Sequence, residues 1–144
     1  MCKMSEYSIR DLSEMFKLPS STLRYYEEAG ILTNIARSTS GQRIYNDNHI
    51  NRLRTICCFK NTGMTIAQIR DFFSYESEES DHIDDILLLL HTHRKSVIEQ
   101  IERLQNDYAH INRKVHYYSD IKKNIEEGEP IPEWKYYRDK LYDE

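Results

Sequence analysis

The sequence predicts an all-α fold with one small β-wing: a winged helix-turn-helix head followed by a long coiled-coil dimerisation helix. Three observations point there. Gly (4) and Pro (3) are scarce among 144 residues, too few for a chain built from many tight β-turns. Two short amphipathic segments joined by a Pro-containing turn precede a single polar hairpin-like stretch. A heptad pattern then runs through most of the second half.

In chain order, Tyr7-Ser8-Ile9-Arg10-Asp11 opens the first helix, with Ser8 as N-cap and Asp11 in the position of a capping box. Ile9, Leu12 and Phe16 give it one apolar face. Leu18-Pro19-Ser20 is the turn, and Ser20 is expected to cap the second helix. That helix carries Thr22-Leu23-Arg24-Tyr25-Tyr26-Glu27-Glu28-Ala29 and stops at Gly30, a residue that tolerates the left-handed conformation at helix ends. Leu23 and Tyr26 share a face, which leaves Arg24 and Tyr25 off it. A guanidinium beside a phenol hydroxyl on an exposed helix suits phosphate oxygens.

Residues 34–45 change character. Ser38-Thr39-Ser40-Gly41 is a polar turn between two short flanks, read as a hairpin in which Gly41 supplies a positive φ. Arg37, Arg43 and Tyr45 sit on this wing. Asn46 caps a third helix to about Asn61, with Ile50, Leu53 and Ile56 inward. Thr65-Ile66-Ala67-Gln68 is a capping box that starts a fourth, with Ile66, Ile69 and Phe73 inward. Lys60, together with Arg52 and Arg54, is a candidate for further phosphate contacts.

Residues 74–81 read as a short acidic linker. From about His82 to Glu127, alternating steps of four and three select Ile83, Leu87, Leu90, Arg94, Val97, Ile101, Leu104, Tyr108, Ile111, Val115, Tyr118, Lys122 and Ile125. Eleven of these thirteen are apolar or aromatic. A helix of ~45 residues spans ~68 Å, too long to lie on so small a head. A second copy is expected to cover the seam, in an orientation the heptads do not set. Gly128-Glu129-Pro130-Ile131-Pro132 ends the helix, and whether the aromatic, charged tail packs back is left open. The expected organisation is a head over 1–75, a coiled-coil helix over 82–127 and a short tail over 128–144.

Charge supports a division of labour. Residues 1–70 hold 10 basic and 6 acidic side chains, whereas the remainder hold 10 and 18. A basic front and an acidic back suit a DNA-facing unit joined to a partner-facing one. No apolar run is long enough to cross a bilayer, and Leu87–Leu90 is too short. With no charged-then-apolar leader, the expected location is cytoplasmic and no membrane partner is expected. The three cysteines, Cys2, Cys57 and Cys58, form no C-x-x-C, so neither a disulfide framework nor a zinc site is suggested, and no cofactor is expected.

Taken in order, Tyr-Ser-Ile-Arg-Asp-Leu-Ser, Thr-Leu-Arg-Tyr-Tyr-Glu-Glu-Ala-Gly-Ile-Leu, Gly-Gln-Arg-Ile-Tyr and Thr-Gly-Met-Thr-Ile-Ala-Gln-Ile-Arg resemble the MerR family of bacterial transcription regulators over roughly residues 5–75. The family often has Ser-Pro at the turn where this chain has Pro19-Ser20. The resemblance implies an antiparallel coiled-coil homodimer that binds a near-palindromic promoter site with a long spacer and distorts it for RNA polymerase. It implies that Arg24 and Tyr25 contact the DNA backbone, that Thr22 contacts base or phosphate, and that Arg43 and Tyr45 are wing contacts.

Metal-responsive relatives carry cysteines at and after the long helix. None occurs here past Cys58, so a thiolate metal site is not expected. Drug-binding relatives append a large effector domain, and only a short tail follows here. Thiol chemistry is what is left. On the third helix Cys57 lies about 40° from the apolar stripe and Cys58 about 140° from it. Cys57 therefore reads as a buried small hydrophobe, and Cys58 points elsewhere, toward solvent or toward the long helix of a second copy. The stretch Cys58-Phe59-Lys60-Asn61-Thr62-Gly63-Met64 resembles the aldehyde- and electrophile-responsive branch, with Lys60 and Arg54 near enough to favour a thiolate. The rival readings are a regulator of a non-covalent small ligand and a coiled-coil adaptor whose head binds protein. Enzyme chemistry has no support: there is no nucleophile-base ordering, no phosphate loop and no carboxylate pair beside an apolar pocket.

Overall fold

The computed structural model describes residues 5–143, which leaves Cys2 outside the described residues. It divides into two compact units, one reaching to His93 and one beginning at Arg94.

In the first unit, α1 (Ile9–Phe16) begins with a complete capping box. Ser8 Oγ accepts from the Asp11 N–H at 3.0 Å, and Asp11 Oδ2 accepts from the Ser8 N–H at 2.8 Å. A cap of this kind stabilises a helix by about 1 kcal/mol. α2 (Ser20–Glu28) departs from expectation: Ser20 is already helical, and the N-cap is Pro19, which makes no side-chain cap bond. The fixed φ of Pro19 (−59°) sets the entry instead. At the other end Gly30, with φ +77°, turns the chain so that the N–H groups of Ile31 and Leu32 both reach Tyr26 O at 3.1 Å. That turn drops both side chains into the core, fully buried.

β1 (Ala36–Arg37) pairs antiparallel with β2 (Arg43–Ile44), Ala36 facing Ile44 and Arg37 facing Arg43. Gly41 supplies φ +84° in the turn. A bridge of two 2.8 Å bonds between Tyr7 and Tyr45 ties the base of this wing to the segment before α1. α3 (Asp47–Asn61) is capped by Asn46 and α4 (Ile66–Ser77) by Thr65, which shares a reciprocal box with Gln68. Leu12, Leu23, Ile31, Leu32, Tyr45, Leu53, Ile56 and Ile69 are wholly inside. Each such burial contributes about 1.5–3 kcal/mol, so these helices are held by tertiary packing more than by propensity.

The stretch 74–81 is not a linker. α4 continues to Ser77 and α5 (Glu79–Glu127) starts two residues later. Only Glu78 (φ −133°, ψ 55°) and His82 (φ −122°, ψ 18°) leave helical geometry. Packing explains the difference: Phe72, Phe73 and Tyr75 anchor the end of α4 in the core, and Ile86 and Leu89 dock the opening of α5 there. Glu79 and Asp81 fall in the first turn of α5, where negative charge suits the helix dipole.

In the second unit the tail folds onto α5. A 3-10 turn, Trp134–Tyr136, brings Tyr137 into a buried position. Tyr137 donates its hydroxyl to Asp120 Oδ2 at 2.6 Å, Arg113 Nε donates to Lys140 O at 2.6 Å, and His116 stacks on Tyr142 at 3.8 Å. Lys114 lies over the Trp134 ring at 3.7 Å. At 100° per residue, the covered positions 113, 116, 117, 120 and 124 lie across the helix from Ile111, Val115, Tyr118 and Ile125. Those four stay exposed. The tail therefore covers the back of α5 and leaves the heptad seam open.

Candidate nucleic-acid interface

α2 places its side chains by simple helical spacing. Leu23 and Tyr26 go into the core, so Arg24 and Tyr25 are driven to the opposite face and are exposed. Thr22, one position earlier, is half-buried. The Tyr25 ring lies beside that of Tyr26, centroids 6.1 Å apart.

Glu27 links this helix to the wing. Arg43 Nε donates to Glu27 Oε2 at 2.6 Å, and Arg37 Nη2 lies 3.8 Å from Glu27 Oε1. Arg37 also donates Nη1 to Gly41 O at 3.0 Å, inside its own turn. The Glu27 hydrogen bond pushes the Arg43 guanidinium further up from its already high range. Glu27 had no place among the sequence-derived candidates. Its signal was a carboxylate one helical turn past Arg24, ahead of a hairpin bearing two cations.

Tyr45 corrects an expectation. It is fully buried, edge-on to His49 at 5.6 Å, with its hydroxyl enclosed and without a hydrogen-bond partner among the described residues. Burial pushes its phenol above the usual range. The bridge to Tyr7 turns this side chain inward, so in this conformation it is core and not a wing contact.

On α3, Arg52 is also not a surface cation: its Nε donates to Ile31 O at 2.6 Å and its guanidinium stacks on Phe73 at 3.8 Å. Burial lowers its pKa. Lys60 and Arg54 are exposed. Cys58 is exposed, while Cys57 is half-buried against the core and burial raises its thiol pKa. The end of α3 that carries Cys58 and Lys60 is joined to α5. Thr62 Oγ1 bonds Cys58 O at 2.7 Å and His93 Nε2 at 2.7 Å, and the Phe59 and His93 rings meet edge to face at 6.0 Å. Beside the start of α3 lies a polar groove of about 440 Å³, lined by Asn34, Asn48, His49, Arg52, Thr55 and Glu76 among others. Among the described residues no three His, Cys, Asp or Glu side chains gather as a metal site.

Comparison with known proteins fits this geometry. Residues 7–76 match the family model described as MerR HTH family regulatory protein, and residues 50–113 match one described as MerR, DNA binding. An uncharacterized HTH-type transcriptional regulator of Haemophilus influenzae is 29% identical over 81% of this chain and 86% of its own length. A ZntR homolog of the same organism is 30% identical over 65% of this chain and 67% of its own. Among solved structures, HiNmlR, described as a MerR family regulator lacking the sensor domain and bound to promoter DNA, superposes with a TM-score of 0.74 at 28% identity, covering 83% of this chain and 94% of that one.

Proposed function

Because the chain belongs to the MerR family of DNA-binding transcriptional regulators, we propose that two copies join through the α5 seam and place their two heads on one near-palindromic promoter site. In this reading the organisation is a head over residues 1–75, a dimerisation helix over 82–127, paired antiparallel, and a tail over 128–144. Two-fold protein symmetry then matches two-fold site symmetry, with half-sites spaced by helical turns. The bound promoter is distorted so that RNA polymerase can use it, which makes part of the specificity indirect.

One observation carries this reading: Arg24 and Tyr25 stand exposed together on the face of α2 turned away from the core, beside a wing that carries Arg37 and Arg43. Arg24 and Tyr25 take backbone phosphates, Thr22 a base edge or phosphate, and Lys60 an outlying phosphate. HiNmlR, which this chain matches along most of its length, was solved on promoter DNA. The test is Arg24→Ala in a gel-shift titration. Binding is lost while the dimer mass is unchanged, and unaltered affinity removes Arg24 from the interface. An adaptor head that binds protein is told apart by salt: phosphate-dominated affinity falls steeply as salt is added.

The inducer reading rests on Cys58. Its thiol is exposed, and its carbonyl is held by Thr62, the residue that bonds α5 through His93. An aldehyde, electrophile or oxidant adding to this thiol acts next to the joint between head and dimer helix. Full induction by aldehydes or diamide in a Cys58→Ser variant would remove this role. The groove beside Arg52 favours a second reading, a non-covalent polar ligand. It calls for induction that survives Cys58→Ser and fails when Asn51→Leu and Thr55→Leu, at two residues of the groove wall, fill it.

A further inference from the structure

The wing has two residues in each strand, and a ribbon that short is not stable alone. The backbone bridge to Tyr7 fixes its base. From α2, the two carboxylate oxygens of Glu27 face Arg43 and Arg37. We propose that Glu27 is a positioning residue for DNA binding: it locks the wing onto the recognition helix, with Arg43 as the other half of the lock and not as a phosphate contact. The inference rests on the reading that α2 and the wing face the duplex.

Several observations favour a lock. The Arg43 Nε donor is committed to Glu27 at 2.6 Å, and both side chains are largely withdrawn from solvent, 22% and 28% exposed. Moving Arg43 to a phosphate strands the Glu27 carboxylate beside the DNA, which is unfavourable twice, by an unpaired charge and by repulsion. Arg37, 50% exposed and only loosely paired with Glu27 at 3.8 Å, is the more accessible wing cation. Arg43 and Arg37 of the wing both reach Glu27 of the recognition helix, so helix, lock and wing meet at one carboxylate.

The sign of one substitution separates a lock from an ordinary surface charge. A carboxylate facing DNA repels phosphate, so Glu27→Gln, which keeps the shape, tightens binding if charge is all that matters. A lock predicts the reverse. The experiment titrates the full chain into a labelled duplex recovered by in vitro selection on that chain, for wild type, E27Q, R43Q, E27Q/R43Q and R24A. With a lock, E27Q and R43Q each weaken binding on the order of tenfold, and the double variant is no weaker than either single one, as expected when two residues act as a unit. The plot of log affinity against log salt keeps its slope in R43Q. If Arg43 instead neutralises a phosphate, the slope falls by about 0.9 for each head. An inactive fraction that is constant with salt shifts the line without changing its slope, so circular dichroism across the same salt range accompanies the titration. Equal or tighter binding by E27Q, or the reduced slope in R43Q, overturns the lock. R24A keeps the two failures apart: lost binding in R24A with tight E27Q removes only the lock, and unchanged binding in R24A removes the assigned surface.

Discussion

At the scale of single residues, helical spacing made some of the site legible and left some of it hidden. Leu23 and Tyr26 three apart had to share the core face, so Arg24 and Tyr25 had to turn outward, and they do. Tyr45 had no such constraint. A residue at the end of a two-residue strand faces inward or outward according to its partner, and that partner is Tyr7, 38 positions earlier. Nothing local in the sequence specifies that pairing. The buried hydroxyl of Tyr45, without a hydrogen-bond partner among the described residues, carries a desolvation penalty of about 1–3 kcal/mol. Tyr45→Phe is therefore expected to leave the thermal midpoint unchanged or raised and DNA affinity unchanged. A loss of affinity on removing that one oxygen would return Tyr45 to the interface.

At the scale of elements, three of the four caps were legible, Ser20 being displaced from its expected cap position by Pro19, and boundaries were not. Ser8 with Asp11, Asn46, and Thr65 with Gln68 all cap as their side-chain chemistry dictates. The acidic stretch 74–81 read as linker because composition does not show that Phe72, Phe73 and Tyr75 pin it from one side and Ile86 and Leu89 from the other. The tail was undecided for a related reason: its hold on α5 comes from aromatic faces and hydrogen bonds that composition does not locate, among them the short one from Tyr137 to Asp120. That bond has a pH signature. Donation to Asp120 and burial push the Tyr137 phenol from its ordinary 10 up to about 12. The folded state thus holds its proton more tightly than the unfolded one. The contribution is complete below pH 10 and disappears as pH rises through 12. Trp134, the only tryptophan, touches this cluster, so its emission reports the tail. The emission is expected to hold to pH 10 and change towards 12. In Tyr137→Phe that transition is absent, and the tail is weaker at neutral pH by about 1 kcal/mol, a low value because Asp120 is exposed.

At the scale of the whole molecule, the heptad steps announced a second copy without announcing its direction, because a stripe of apolar residues pairs equally well either way round. The structure adds which face remains for that copy. Leu104 is 67% exposed and Ile111 61%, and the tail takes the opposite side of the helix. An apolar stripe of this length left in water is an interaction surface. The prediction follows from geometry. Leu104→Glu sets two carboxylates into an apolar seam, and burying unpaired charge costs more than the seam returns. The wild-type chain should sediment at twice its 17.3 kDa mass, and L104E at the single-chain mass with its head still folded. Promoter affinity should then collapse, because one head reaches one half-site. Asn106→Glu puts the same charge on the far side of the helix and should leave mass and affinity alone. An L104E variant that still sediments at twice the chain mass would mean that the copies meet elsewhere, and the spacing of the heads would have to be derived from that other contact.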